Sequence, residues 1–394
     1  MHQYDYVIVG GGMTANAAVR GIRDVDARGS IGIIAAEPHP PYARPPLSKG
    51  LWKGDKPESI RLGTEGLNVE LHLERRAQTL NPASREVTDD QSTVYQYRKL
   101  LLATGGTPRR LPFGGDSILY YRTLDDYHLL HDLAGRRSRF AVIGGGFIGS
   151  EIAAALAMNR RKVTMIFPGA GIGDRVFPAD LSTFLNGYYR EKGVEVLTEE
   201  HVSGVQPKGE EIRVRTQGGR ELTVDGVVAG LGIQPNIELA KSAGLAVEDG
   251  VVVNESLRTS NDDIYAAGDV AAFFNRALGK RLRVEHEDNA NTMGRMAGQA
   301  MAGADVRYDH LPSFYSDLFE LGYEAVGEFD PRLTIVADWK EPYREGVVYY
   351  LRDGRVRGVL LWNVWGQVDA ARKLIADSGP FEAADLKGRL PAQT

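Results

Sequence analysis

No cysteine occurs in this 394-residue sequence, which excludes disulfides, thiolate nucleophiles and any iron–sulfur cluster held by its own thiolates. Any redox centre must therefore be borrowed. Long apolar runs are also lacking, and none approaches the roughly 20 residues of a membrane span. The opening residues Met1-His2-Gln3-Tyr4-Asp5 carry no basic n-region or cleavage site before the first apolar strand, so a cytoplasmic location is expected. A formal net charge of −5 offers no broad cationic surface, and neither nucleic acid nor membrane is expected as a partner. No cluster with metal-ligand spacing is evident, so no metal is expected.

What is abundant is glycine, 46 residues, concentrated where strands end. The length implies two or three cores of roughly 100 to 200 residues. Tyr6 to Val9 reads as a buried strand, Gly10-Gly11-Gly12 as a turn, Ala15 to Ile22 as a helix and Ser30 to Ala35 as the next strand. The order returns at Phe140 to Ile143, Gly144-Gly145-Gly146, a helix through Ile152 to Met158 and a strand from Lys162 to Phe167. The chain contains its own repeat. After Pro312 the texture changes to strands, with a hairpin of Val347 to Leu351 and Val356 to Leu361 across Asp353-Gly354, then a helix from Val368 to Asp377. The fold predicted is α/β, with two Rossmann-like dinucleotide-binding domains and a C-terminal α+β domain.

Gly10-x-Gly12-x-x-Ala15 follows a strand and opens a helix, with Glu37 at the end of the next strand. In that context the first glycine permits a tight turn, and the second lets pyrophosphate approach the backbone. The helix start supplies free N–H groups and partial positive charge. Glu37 would accept the adenosine ribose hydroxyls. Gly144-x-Gly146-x-x-Gly149 repeats the pattern, but its second strand ends Phe167-Pro168-Gly169, without an acid. Arg175 is the nearest candidate for a 2′-phosphate, and the choice between NADH and NADPH stays open. The segment Ile264 to Asp269 delivers an acid after small residues, and Asp269 can bind a flavin ribitol, cap a helix, or do both.

These residues resemble the FAD-dependent pyridine nucleotide oxidoreductases, in the branch of ferredoxin and rubredoxin reductases and apoptosis-inducing factor. The markers are Tyr42 through Lys49, Ala103-Thr104-Gly105-Gly106-Thr107-Pro108-Arg109, Gly144 through Glu151, Tyr265 through Asp269 and Arg283-Val284-Glu285-His286. That last marker, with Gly294 to Gly298, Gly322 to Gly327 and Leu361-Trp362-Asn363, is most similar to apoptosis-inducing factor. The resemblance implies an FAD domain interrupted by a nicotinamide-nucleotide domain, as in glutathione reductase: residues 1–115 and 245–305 would form the FAD domain, 116–244 the nicotinamide-nucleotide domain and 306–394 the C-terminal domain. It places Arg44, Lys49, Thr104, Gly105, Arg122, Gly268, Asp269, His286 and Tyr315 around FAD. Gly145, Gly146, Phe147, Ile148, Gly232, Glu285, Glu324 and Asn363 would lie near NAD(P)H. Gly169 stands where apoptosis-inducing factor has its acid, Tyr315 where it has tryptophan, and Glu287 where it has a second histidine.

Disulfide reductases of this superfamily set two cysteines against the flavin, where this chain has Arg44-Pro45-Pro46-Leu47-Ser48-Lys49. The relatives imply instead that Lys49 pairs with Glu151, a cation that favours the negative charge of a reduced flavin. Hydride transfer itself needs only nicotinamide and flavin held roughly 3 to 3.5 Å apart, with His286 in contact. The expected activity is therefore NAD(P)H-dependent flavin reduction followed by transfer to an external acceptor: a small iron–sulfur protein, a quinone or oxygen. A ferredoxin or rubredoxin reductase would carry a basic docking patch, for which Arg109, Arg110, Arg136 and Arg137 are candidates. The alternative is an NADH-responsive switch that dimerises on reduction.

Overall fold

The computed structural model describes residues 1–390. In chain order its framework begins with strand β1 (His2–Val9), helix α1 (Met13–Val25), β2 (Ile31–Ile34) and β3 (Val94–Leu102). The second repeat comprises β4 (Arg139–Ile143), α2 (Phe147–Met158), β5 (Lys162–Ile166) and β6 (Gly226–Ala229). There follow β7 (Ile264–Ala266), α3 (Glu287–Met301), the hairpin β8 (Glu345–Arg352) and β9 (Arg355–Trp362), and α4 (Val368–Ala376). The first strand begins four residues before the apolar run, because His2, Gln3 and Tyr4 pair in register with Tyr95, Gln96 and Tyr97. Backbone pairing, invisible to an apolar pattern, extends it.

The chain divides into two compact units. The first comprises Met1–Arg44, Lys56–Thr107 and Gln234–Ser313. Its main sheet runs Glu70–His72, β2, β1, β3, Glu86–Asp89 and Ala77–Asn81, with β7 also on β3. Val9 pairs with both Ile34 and Leu102, and Ala266 pairs with Leu102, all in parallel register. Four strands thus end level. The turns after them, holding Gly10, Glu37, Thr104 and Asp269, leave from the carboxyl end of the sheet, where α/β proteins bind ligands. Helix α1 lies close against α3, and a Cβ on Gly298 would fall 2.1 Å from the Ala18 carbonyl oxygen.

The second unit comprises Pro45–Asp55, Pro108–Ile233 and Phe314–Thr394. Its parallel sheet is ordered Val194–Leu197, β5, β4, β6, Leu119–Tyr120. Ile143 pairs with Ile166 and Ala229, so the turns starting at Gly144, Phe167 and Gly230 also leave at one level. The unit also holds an antiparallel three-stranded sheet of Val202–Lys208, Glu211–Thr216 and Glu221–Val224, and an antiparallel five-stranded sheet in the order Ser313–Leu318, Leu321–Gly327, β9, β8, Thr334–Glu341. The β8–β9 hairpin turns through Asp353 at φ 53° and Gly354 at φ 73°, the left-handed pair that a two-residue hairpin loop requires. Among the described residues no helix is long and apolar enough to cross a membrane.

Candidate functional site

The two glycine turns are built alike. Gly10 has φ 121°, and a Cβ there would lie 2.1 Å from the Ala103 carbonyl oxygen; Gly144, at φ 116°, would place one 2.3 Å from the Gly230 carbonyl oxygen. The fold itself demands these glycines. Gly12 and Gly146 are different: their φ of −93° and −85° suits any L-residue, and a Cβ at either would meet no protein atom within 4 Å. Each is the N-cap of its helix and, being glycine, brings no side chain to cap it. Ala15 is fully buried beneath the first turn, and Gly149 under the second would bring a Cβ 2.1 Å from the Gly144 carbonyl oxygen. A helix start whose N-cap has no side chain, at a place where no protein atom forbids one, fits a pyrophosphate. The residues present fit a dinucleotide at both turns.

Around the first turn, within its own unit, Glu37 is half-buried and already engaged. Tyr42 donates its hydroxyl to Glu37 Oε2 at 2.5 Å, and the Arg44 guanidinium pairs with Oε1. Burial opposes the charge on Arg44, but the nearby Tyr42, Glu37 and Asp269 hold its pKa above the usual value. Thr104 donates to the Asn236 carbonyl at 2.8 Å while the Asn236 amide donates to the Thr104 carbonyl at 2.8 Å, and Gly105 adopts φ 62° beside them. Gly268, at φ 75°, leaves room for the Thr14 hydroxyl of α1, with Asp269 following on a short 3₁₀ turn. His286 is the N-cap of α3. Desolvation pushes its imidazole down to about 4, against the opposing pull of Asp269 and Asp288, so near neutrality it is uncharged. Glu285 is ion-paired with Arg283 at 2.7 Å.

In the second unit Lys49 meets Glu151 at 2.7 Å, with side chains only 12% and 4% exposed. The carboxylate also accepts from the Ser48 hydroxyl at 2.5 Å and the Ser316 hydroxyl at 2.6 Å. The Lys49 ammonium stands 5.2 Å from the centre of the exposed Tyr315 ring. A buried pair persists when its remaining hydrogen-bonding capacity is met, and the serines meet it here. Gly145 accommodates the Phe167 ring, Phe147 packs on Phe314, and Ile148 is exposed on the first turn of α2. Gly232 has φ 77°, and its carbonyl accepts from the Arg109 amide at 2.9 Å. The Arg122 backbone amide donates to Asp126 at 2.9 Å. Glu324 accepts from the Gly366 amide at 2.9 Å. Asn363, at φ 50°, accepts from the Gly322 amide at 2.7 Å and donates to the Arg344 carbonyl at 2.9 Å, so its side chain ties the strand Leu321–Gly327 to the turn before β8.

The predicted flavin set is thus split between units: Lys49, Arg122 and Tyr315 belong to the second and the others to the first. Sequence reasoning gave no role to Ser48, Ser316, Tyr42 or Asn236. Ser48 and Ser316 adjoin residues that were singled out, but no spacing links positions 48, 151 and 316. It also passed over His2, Glu70 and His72, which converge in the first unit with each histidine 3.7 Å from Glu70. There the His72 nitrogen facing Glu70 already shares a 2.8 Å hydrogen bond with the Tyr4 hydroxyl.

Comparison with known proteins gives two family matches. The model for pyridine nucleotide-disulphide oxidoreductases covers residues 4–294. That for the C-terminal part of mitochondrion-associated apoptosis-inducing factor covers residues 337–377. Apoptosis-inducing factor 1 of Dictyostelium discoideum is 34% identical, over 95% of this chain and 79% of its own. Monodehydroascorbate reductase 3 of Arabidopsis thaliana is 32% identical over 91% of this chain and 89% of its own. Among solved structures, the covalent putidaredoxin reductase–putidaredoxin complex matches with a TM-score of 0.90 at 30% identity, covering 97% of this chain and 95% of that one.

Proposed function

The chain belongs to the pyridine nucleotide-disulphide oxidoreductase family and is an FAD-dependent NAD(P)H oxidoreductase, and from that premise we propose how its residues divide the work. The turn at Gly10–Gly12 seats the FAD pyrophosphate, and the turn at Gly144–Gly146 seats that of the nicotinamide dinucleotide. Residues 1–115 and 245–305 form the flavin domain, 116–244 the nicotinamide-nucleotide domain and 306–394 a third. When bound, the two cofactors supply hydride transfer from nicotinamide to flavin. The chain's own groups orient and polarise. Lys49 pairs with Glu151, and Ser48 and Ser316 hold that carboxylate in place; an ammonium fixed there would favour an anionic reduced ring over a neutral oxidised one. Glu37 receives ribose hydroxyls, and Arg44 and Asp269 line the rest of the flavin nucleotide. His286, uncharged near neutrality, serves as a contact rather than as an acid.

The observation that carries this reading is the shared design of Gly12 and Gly146, glycines that neither backbone strain nor packing requires. Anaerobic addition of NADH and NADPH to the purified flavoprotein tests it. Bleaching of the flavin absorbance by either nucleotide is expected; protein without FAD, or a spectrum unmoved by both, would refute it.

Although the family name contains a disulphide, this chain has no cysteine, so electrons leave to an external acceptor. We assign that acceptor to the small iron–sulfur proteins, and the activity to the cytoplasm. The support for the acceptor is the set of relatives named as ferredoxin or putidaredoxin reductases. The candidate basic patch supports it less: Arg137 is paired with Glu210 at 2.9 Å, and Arg110 lies 4.7 Å over the Tyr120 ring. Rapid reduction of a ferredoxin in preference to a quinone or oxygen is the expected result. The C-terminal match to apoptosis-inducing factor favours a second reading, a switch that dimerises on reduction. A shift from monomer to dimer on adding NADH, with negligible turnover, would select it.

A further inference from the structure

The second glycine turn lacks the acid that normally follows its second strand, since β5 leads into Phe167-Pro168-Gly169. In dinucleotide folds that acid accepts the adenosine ribose hydroxyls and disfavours a 2′-phosphate. The structure supplies a carboxylate at the same place from another position. A Cβ on Gly169 would fall 2.0 Å from Asp174 Oδ2, 2.7 Å from its Cγ and 3.0 Å from Oδ1. The Asp174 carboxylate therefore occupies the volume from which a side chain at 169 would start.

The loop that brings it there is tightly built. The Gly173 amide donates to the Gly145 carbonyl at 2.8 Å, pinning the loop onto the glycine turn itself. Gly173 has φ 72°, and a Cβ on it would strike the Phe177 ring at 2.4 Å. At the other end the Gly169 carbonyl accepts from the Glu199 amide at 2.9 Å. Asp174 is half-buried, and among the described residues no hydrogen bond or ion pair engages its carboxylate. That contrasts with Glu37 at the first turn, whose two oxygens are both engaged. Arg175, the residue that could favour a 2′-phosphate, is exposed one position further on.

We infer that Asp174 replaces the missing strand-end acid and makes this site select NADH over NADPH, by accepting the ribose hydroxyls and repelling a 2′-phosphate. The inference rests on the reading of the second turn as the nicotinamide-nucleotide site. It assigns the choice that the sequence leaves open to one side chain. A side chain at 169 would meet that carboxylate, so one fits there only if Asp174 turns away.

The test is calorimetric binding to the FAD-loaded protein, using ADP-ribose and 2′-phospho-ADP-ribose, which carry no nicotinamide and report no turnover. A hydrogen bond to a charged group supports a preference of roughly tenfold or more for ADP-ribose. Asp174→Asn, nearly isosteric on a half-buried loop, should abolish that preference, and melting at the wild-type temperature would show the fold intact. Gly169→Glu alone should weaken both ligands, because the new side chain meets Asp174. Gly169→Glu combined with Asp174→Gly should restore the preference for ADP-ribose. Two results would overturn the inference, and they are distinguishable. If wild type binds ADP-ribose and Asp174→Asn leaves the ratio of the two ligands unchanged, Asp174 has no such role and the second turn keeps its assignment. If a protein with full flavin content binds neither ligand, the assignment of the turn fails as well.

Discussion

Gly10 and Gly12 stand two residues apart and answer to different constraints. Gly10→Ala forces a left-handed φ and a carbonyl clash on a non-glycine residue, and should cost roughly 2 kcal/mol or more of stability, read as a lower melting temperature. Gly12→Val adds a side chain whose Cβ meets no protein atom within 4 Å, so apoprotein stability should change by no more than about 0.5 kcal/mol. Its flavin content after purification should nevertheless collapse, and a normally yellow Gly12→Val protein would show that the pyrophosphate lies elsewhere. The Lys49–Glu151 pair predicts a different asymmetry. Glu151→Gln leaves a buried ammonium without its counter-charge and should destabilise by about 3–5 kcal/mol. Lys49→Gln leaves Glu151 with its two serine donors. It should therefore fold, retain FAD, and slow anaerobic flavin reduction about 10²-fold in stopped flow.

At the scale of elements, α1 and α3 approach so closely because glycine removes the side chain at the contact. Gly298→Val would drive a branched side chain into the Ala18 carbonyl, at about 1–3 kcal/mol, and the loss should appear as a drop of several degrees, roughly, in melting temperature. The start of α3 carries a pH dependence. His286 stands at the N-cap position of that start, where desolvation lowers its pKa to about 4 and the positive end of the helix acts in the same direction. The unfolded chain takes up a proton near the ordinary value of about 6.5, and the folded chain does not until about 4. Its contribution to stability is thus complete above about 6.5 and is lost as pH falls towards 4. His286→Gln should flatten the fall in denaturation midpoint between pH 6.5 and 4; an unchanged slope would assign the dependence to other groups.

At the scale of the whole molecule, a ligand that binds only the folded state stabilises it by mass action. Apoprotein stripped of FAD should melt lower than holoprotein, and restoring FAD at about a hundredfold over its Kd should return about 2.7 kcal/mol; coincident melting curves would mean that flavin binding is not coupled to folding. Much of this architecture is legible in the sequence, because a glycine turn, its strand and its helix are local: a few adjacent residues set φ, burial and helix start together. The repeat, the α/β class, the hairpin at Asp353-Gly354 and the absence of a thiol relay all follow from neighbours along the chain. Other features depend on positions that only folding brings together. No periodicity joins Ser48, Glu151 and Ser316, or Thr104 and Asn236, and the extension of β1 back to His2 depends on pairing with Tyr95 to Tyr97. Asp174 is the plainest case. Read linearly, Gly169 is an acid lost; in three dimensions a left-handed Gly173 turns the loop back and returns a carboxylate to the same volume, because backbone reversal joins residues that pattern keeps apart.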